Sequence, residues 1–270
     1  MLEGRLIVDA LGPGALNMAV DEALLADAAE SGTATLRFYG WNEPTLSLGY
    51  FQQYEDRKFH PASRDCAVVR RQTGGGAILH DRELTYSLTL PISHALAIQN
   101  ARLYAVVHHA FIEAVSSMIS ATVPGNLARR EESDTQATEG EPFLCFQRRA
   151  IGDVVFATTR DRRSGQRAEK MPRTSDWKIL GSAQRRYRGA ILQHGSLLLQ
   201  QSPSAPELAG LFDLVGQNFE TAEVTKLVAT RLENALRMHL HRSVLPPKLQ
   251  SKAEKLANIK YGSAGWTKRR

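Results

Sequence analysis

The chain has 270 residues, 43% of them hydrophobic, and a net charge of +6 from 34 Lys and Arg against 28 Asp and Glu. This length and composition allow a sizeable core, and the moderate basic excess permits an acidic protein or a nucleic acid as partner. Two cysteines, Cys66 and Cys145, exclude a disulfide scaffold and a four-cysteine zinc site. Because no apolar run approaches the length of a membrane span and the N-terminus lacks signal-peptide features, we expect a cytoplasmic protein without a membrane partner.

Apolar periodicity predicts helices and strands along the whole chain. The predicted helices lie at 15–30, 103–120, 221–241 and 248–260, with a further short helix within 203–215. The predicted strands lie at 6–8, 35–39, 46–50, 67–69, 84–90, 154–157, 178–183 and 190–199. Because most connections are too short for a helical crossover, the pattern favours an α/β (α+β) fold with a mixed, largely antiparallel sheet and flanking helices.

The same pattern predicts a single domain over 1–270. A basic loop insertion is expected at about 159–176 and a helical C-terminal part at about 203–260. On the first helix, Asn17 and Asp21 are expected to be solvated, and the neighbouring His108 and His109 on the second long helix are interpreted as structural.

Three consecutive glycines stand between two strand-like runs. We call the segment the glycine stretch; it reads Arg70-Arg71-Gln72-Thr73-Gly74-Gly75-Gly76-Ala77-Ile78-Leu79-His80-Asp81. Glycine in a strand region indicates a close approach of a ligand or another backbone, and the two arginines add positive charge beside it. A plain bulge or turn is the alternative. The spacing matches neither a phosphate-binding P-loop nor a dinucleotide-binding motif.

Four further residues are candidates for chemistry. Cys145 lies in a loop-like segment followed by two arginines, which suits a nucleophilic thiolate, although a small buried hydrophobe is an equal alternative. Lys178 enters a strand of apolar and small residues, where it could stabilise an oxyanion or simply extend into solvent. His80 and His194 could each be a base or a hydrogen-bond anchor, but a lone strand histidine is more often structural, and no metal motif is present.

The glycine stretch, continued by Glu83-Leu84-Thr85-Tyr86-Ser87, resembles the signature of the lipoate–protein ligase, octanoyltransferase and biotin ligase superfamily. Further segments agree in order: Asn17-Met18-Ala19-Val20-Asp21-Glu22-Ala23-Leu24-Leu25, Pro44-Thr45-Leu46-Ser47-Leu48-Gly49-Tyr50-Phe51-Gln52, Lys178-Ile179-Leu180-Gly181-Ser182-Ala183-Gln184-Arg185-Arg186 and Leu192-Gln193-His194-Gly195-Ser196. The resemblance implies a ligase-like catalytic domain. It also implies a site built from Arg70, Arg71, Gly74, Gly75, Gly76, His80, Gly181, Ser182, Ala183, Gln184 and His194.

Within this superfamily the chain is most similar to the cysteine-dependent octanoyltransferases. The resemblance implies that octanoyl passes from acyl carrier protein through a thioester on Cys145 to a lysine of a lipoyl domain, such as glycine cleavage H protein. Lys178 would then stabilise the oxyanion, and neither a cofactor nor a metal would be needed. The alternatives are an ATP- and Mg-dependent lipoate ligase and an amidotransferase acting between lipoyl domains. A nucleic-acid-binding module is disfavoured because stacking aromatics are sparse in the basic segment.

Overall fold

A computed structural model describes residues 2–131, 142–157 and 176–270. Eight strands form a large sheet in the order β11-β1-β2-β6-β10-β9-β8-β7. Their bounds are β1 Leu2–Gly12, β2 Ala34–Trp41, β6 Glu83–Leu90, β7 Asn126–Arg129, β8 Val154–Ala157, β9 Asp176–Tyr187, β10 Ala190–Leu198 and β11 Met238–Ser243. β1 pairs in parallel with β2 and β11, whereas every other pair in this sheet is antiparallel. The predicted mixed, largely antiparallel sheet is therefore confirmed.

A second, smaller sheet holds the glycine stretch. Its strands are β3 (Thr45–Leu48), β4 (Ala67–Arg70) and β5 (Ile78–His80), with β3 in the middle. The glycines occupy the connection between the two outer strands. This connection faces the large sheet, as the bond between Thr73 and His194 of β10 shows.

Helices cover both faces of the large sheet. They are α1 Gly14–Ser31, α2 Asn100–Ser116, α3 Leu211–Val215, α4 Thr221–Leu236, α5 Pro247–Leu256 and α6 Ala264–Thr267. α2 and α4 pack together over one apolar face, around Phe38, Tyr86 and Phe111. α1 and α5 pack over the other face, around Leu24 and Tyr39. Among the described residues, no helix combines the length and apolarity that crossing a bilayer requires.

Two expectations about this architecture were wrong. Asn17 and Asp21 are only 2% and 1% exposed, because the side of α1 that carries them faces β2 and buried Arg37 rather than solvent. The helix expected over 221–241 ends at Leu236, since Arg237 adopts a left-handed conformation with φ of 51°. The following residues form β11, which interrupts the expected helical part at 203–260. The predicted basic loop at 159–176 lies outside the described residues, apart from Asp176 at the start of β9.

Candidate active site

Cys145 is fixed beside the end of the glycine stretch by backbone pairing. Its amide donates to the carbonyl of Ala77 at 2.7 Å, and the amide of Ala77 donates to the carbonyl of Phe143 at 3.0 Å. A short 3₁₀ helix, Cys145–Gln147, begins at the cysteine and leaves its side chain partly exposed. The structure therefore gives Cys145 the accessibility that a nucleophile needs.

Lys178 lies against this cysteine. Its Nζ is 3.6 Å from Cys145 Sγ, and it donates to the Cys145 carbonyl at 3.3 Å. It also forms an ion pair of 2.8 Å with Asp153 Oδ2, and both side chains are 3% exposed. The ion pair thus holds the lysine ammonium group next to the sulfur, in a position to stabilise negative charge that develops there during a reaction.

Two glycines make room for this pair. A methyl group on Gly181 would lie 2.6 Å from Lys178 Cε, so any side chain there would displace the lysine. A methyl group on Gly76 would lie 3.2 Å from Cys145 Cα and 3.2 Å from the Arg148 guanidinium. Both glycines were predicted as site residues, and their function in the structure is to allow close packing around Cys145 and Lys178.

A cleft of about 480 Å³, including its open mouth, starts at Cys145 and runs between the two sheets. It is lined by the predicted residues Cys145, Arg71, Gly74, Gly75, His80, Gly181, Ser182, Ala183 and His194. Its wall also contains residues that were not predicted as site residues: Met18, Tyr39, Ile78, Thr85, Phe146, Gly195 and Ser196. Clefts of this size accept small ligands, and the apolar side chains near the thiol suit an acyl chain.

Arg71 fixes the conformation of the glycine loop in the wall of the cleft. Its guanidinium donates to the carbonyls of Ser47, Gly74 and Gly76 at 2.6 to 2.8 Å, which holds the glycine loop curled around it. Gly75 has φ of +92°, a conformation that a side chain would strain. Burial lowers the pKa of Arg71 to about 10, although the nearby Cys145 acts in the opposite direction.

Four predicted site residues lie outside the lining of the cleft. Gly76 and Lys178 pack beside Cys145, as described above, whereas Arg70 and Gln184 lie elsewhere. Arg70 is buried, and its guanidinium donates to the carbonyl groups of Gly49 at 2.8 Å and Thr267 at 2.9 Å. It thus fastens the C-terminal helix α6 to the loop after β3. Gln184 donates to Asn100 O and Gln193 Oε1, on the α2 side of the sheet. Since successive strand residues point to opposite faces, Ala183 lines the cleft while Gln184 turns away from it.

His194 belongs to a charged network behind the cleft. Its Nδ1 lies 3.0 Å from Asp21 Oδ2, and its Nε2 lies 2.8 Å from Thr73 Oγ1. Asp21 in turn accepts a bond of 2.9 Å from Arg37. Burial alone would raise the pKa of Asp21, but the bond from His194 and the charge of Arg37 outweigh burial, and the pKa lies below its ordinary value. The network therefore holds an ionised carboxylate that positions His194 and, through it, the glycine loop.

His80 is held in a second buried cluster at the cleft wall. Its Nδ1 lies 2.7 Å from Glu83 Oε1, which also accepts bonds from Thr85 and Ser196. The imidazole ring stacks on Trp41 with centroids 3.9 Å apart. This packing fixes the imidazole plane. No group of three His, Cys, Asp or Glu side chains in the described parts of the chain is arranged to bind a metal ion.

Tyr104, Asp153 and His108, which were not predicted as site residues, support Lys178 from the α2 side. Tyr104 OH donates to Asp153 Oδ1 at 3.2 Å, and the Ser182 amide donates to Tyr104 OH at 3.3 Å. His108 bridges the Gly152 carbonyl and Ser182 Oγ, with 2.7 Å to each. Burial lowers the pKa of His108 to about 3, against the effect of its bond to Gly152, so the imidazole is neutral. His108 is structural, as predicted, but the structure it supports is that of the site.

Comparisons with known proteins place this geometry in a family. The family model described as the lipoyl protein ligase A/B catalytic domain matches residues 13–233 of the 270. The chain belongs to this family. The octanoyltransferase LipM of Kyrpidia tusciae is 31% identical over 98% of both chains. These matches confirm the predicted superfamily and the predicted enzyme class, an octanoyltransferase.

Solved structures confirm the fold. A lipoate-protein ligase A bound with ATP superimposes with a TM-score of 0.70 and 21% identity, covering 99% of both chains. The bi-partite lipoate protein ligase of Thermoplasma acidophilum, studied with its E2 lipoyl domain, gives a TM-score of 0.68 and 19% identity, covering 99% of this chain and 97% of that one. At these identities the likeness concerns the fold, and the chemistry follows from the residues of this chain.

Proposed function

We propose that the chain transfers octanoyl from octanoyl-acyl carrier protein to a lysine of a lipoyl domain through a thioester on Cys145. The observation that carries the proposal is the distance of 3.6 Å between Cys145 Sγ and Lys178 Nζ at the cleft. A thiol and an ion-paired lysine in contact form a nucleophile and a charge stabiliser. They need no nucleotide when the acyl donor is already a thioester.

The first half-reaction is a thioester exchange. The Cys145 thiolate attacks the carbonyl carbon of the donor thioester, and the Lys178 ammonium stabilises the resulting oxyanion. Collapse of the tetrahedral intermediate breaks the bond to the carrier thiol, which leaves as a thiolate and takes up a proton from solvent. The octanoyl chain then lies in the cleft, against the bare backbone of Gly74 and Gly75.

The second half-reaction forms the amide. The neutral amine of the acceptor lysine attacks the enzyme thioester, the C–S bond breaks, and Cys145 returns to the thiolate while the amine loses a proton to solvent. A lipoyl domain as acceptor is supported by the likeness to the T. acidophilum ligase, which was studied with its E2 lipoyl domain. Two easier steps thus replace one direct transfer.

A transfer assay without ATP tests the proposal. Wild-type protein should octanoylate a lipoyl domain from octanoyl-acyl carrier protein, and Cys145→Ala should abolish the reaction. Cys66→Ala is the matched control, because Cys66 is a partly buried thiol packed among apolar side chains of the small sheet. Its rate should stay within twofold of the wild type.

The opposite result would make the chain a lipoate ligase. In that case acylation would require ATP and Mg with free lipoate, and Cys145→Ala would retain it. The contact between Cys145 and Lys178 argues against this alternative, since a ligase that activates its acid with ATP needs no thiol.

A further inference from the structure

Exposed arginines and aromatic rings form a surface beside the cleft, and we call it the arginine–aromatic surface. It consists of Tyr50, Phe51, Arg185, Trp266, Arg269 and Arg270. The three arginines are exposed, and Phe51 is 67% exposed although it is a large apolar side chain. An exposed aromatic ring surrounded by arginines is typical of a binding surface.

The arginine guanidinium groups lie close to the aromatic rings. The Arg269 guanidinium carbon lies 4.5 Å from the Tyr50 ring centroid and 4.8 Å from that of Trp266. The guanidinium carbon of Arg270 lies 5.3 Å from the Phe51 ring, and that of Arg185 lies 5.6 Å from the Tyr50 ring. Guanidinium groups placed near aromatic rings can still donate to carboxylates, and they lose less freedom when they bind.

Hydrogen bonds attach this surface to the glycine stretch. Trp266 Nε1 donates to the Arg70 carbonyl at 2.8 Å, and Arg185 donates to the Gln72 carbonyl at 3.1 Å. A methyl group on Gly74, which lines the cleft, would lie 3.8 Å from the Phe51 ring. A partner bound on this surface would therefore rest next to the cleft that leads to Cys145.

The surface has an excess of positive charge. No carboxylate of the described residues forms an ion pair with Arg185, Arg269 or Arg270. Burial, and then repulsion from Arg269 and Arg270, lowers the pKa of Arg70 beneath them. Such a surface attracts a partner of opposite charge and accelerates its encounter more than it strengthens the final complex.

We propose that the arginine–aromatic surface docks the acidic carrier domain that delivers the octanoyl thioester to Cys145. This inference rests on the proposed function, in which the donor is a protein rather than a free small molecule. Carboxylates of the carrier would pair with the arginines, and an apolar side chain would cover Phe51.

Charge reversal tests the proposal. In Arg269→Glu/Arg270→Glu, the rate constant for acylation of Cys145 by octanoyl-acyl carrier protein, followed by intact mass, should fall tenfold or more at low salt. Acylation by the uncharged thioester octanoyl-N-acetylcysteamine should stay within twofold, since it needs only the cleft. Raising the salt should slow the wild type with the carrier donor towards the rate of the variant.

Lys226→Glu/Arg242→Glu is the matched control. It makes the same change in net charge at exposed positions on α4 and β11, away from the glycine stretch. Retention of the wild-type rate with the carrier donor is expected there. An equal loss in both double variants, or no loss in either, would overturn the docking surface.

Two other results would also contradict the proposal. If only transfer from the acylated enzyme to the lipoyl domain slowed, the surface would serve the acceptor. If the surface variant bound the carrier normally but lost salt-dependent binding to DNA, the surface would serve a nucleic acid. Absence of Cys145 acylation from both donors in the wild type would instead refute the proposed function itself.

Discussion

A buried histidine lies on each face of the β9–β10 pair, His194 of β10 on one face and His108 of α2 on the other. His194 belongs to a charged network, whereas His108 is bonded to neutral groups. On the cleft side, His194 is bonded to the ionised Asp21, which Arg37 balances. On the α2 side, neutral His108 is bonded only to a carbonyl and a hydroxyl group. On the cleft side, the guanidinium of Arg37 compensates the buried carboxylate of Asp21. On the α2 side, neutral groups surround the single ion pair between Lys178 and Asp153.

The comparison also separates two kinds of cation. Arg37 cannot release its proton inside a protein, so it needs its carboxylate partners permanently. Lys178 carries its charge on a flexible side chain, and its ion pair with Asp153 holds that charge beside Cys145. The cleft-side network is therefore expected to govern stability, and the α2-side network is expected to govern activity.

The largest expected effect is that of Asp21→Asn. Arg37, which is 2% exposed, would lose its buried partner and keep Asp9, which is 29% exposed. We expect the free energy of unfolding to fall by about 3–5 kcal/mol. Urea unfolding measures this change. Asp27→Asn on the same helix removes a partly exposed ion pair with Arg5 and should cost below about 1 kcal/mol. Equal losses of unfolding free energy in the two variants would contradict the expectation that the buried ion pair of Asp21 stabilises the fold more than the partly exposed pair of Asp27.

Asp153→Asn should affect the rate instead. Without the carboxylate, Lys178 loses the ion pair that holds its ammonium group beside Cys145 Sγ. We expect Cys145 acylation at neutral pH to slow by about a hundredfold, with a smaller loss of stability than in Asp21→Asn. Asp176→Asn, which affects a half-buried pair with Arg130 at the start of β9, is the control. An acylation rate of Asp153→Asn within twofold of the wild type would show that Asp153 does not position Lys178.

His108 should make stability depend on pH. Its pKa is lowered from 6.5 to about 3 in the folded state, so below pH 6.5 the unfolded chain binds a proton that the folded protein does not. The stability contributed by this group is present above pH 6.5 and is lost as the pH falls. We expect a loss of about 2 kcal/mol between pH 7 and pH 5.

His108→Gln lacks the titrating group and can keep one hydrogen bond to Ser182. Urea unfolding of the wild type and of His108→Gln at pH 7 and pH 5 measures how much of the pH dependence comes from His108. The variant should lose about 2 kcal/mol less than the wild type over this interval. Parallel losses would mean that His108 is protonated in the folded protein.

The smallest expected effect is that of Tyr104→Phe. The change removes one hydrogen bond to Asp153 and leaves the Ser182 amide without its acceptor. We expect a stability loss of about 1 kcal/mol and a rate decrease of a fewfold, because Lys178 and the Ala150 amide still bind Asp153. A loss of acylation rate as large as that of Asp153→Asn would show that the tyrosine hydroxyl takes part directly in the reaction.

Local sequence patterns were sufficient to predict much of the structure around the site. The alternation in 84–90 predicted β6, and the glycine stretch indicated a close approach that the structure shows around Arg71 and Cys145. Resemblance to the superfamily supplied Cys145 and Lys178 as a pair, which no spacing could give, since 33 residues separate them. Their assigned chemical functions remain predictions.

Other features depend on tertiary contacts that leave no periodic signal. Asp153 is a single polar residue before β8, and only the pairing of β8 with β9 brings it to Lys178. Asp21 was expected to be solvated because an isolated helix cannot reveal that Arg37 lies opposite it. The helical spacing of valines and leucines that predicted a helix to 241 continues with Leu240 into β11, where pairing with β1 overrides helix propensity.

The intact mass of the protein after mixing with octanoyl-acyl carrier protein, without ATP, tests the central claim most directly. We predict an added octanoyl group that hydroxylamine releases, that is present in Cys66→Ala and that is absent in Cys145→Ala. An unmodified wild-type mass under conditions in which both the wild type and Cys145→Ala lipoylate an acceptor domain with ATP would contradict the thioester mechanism.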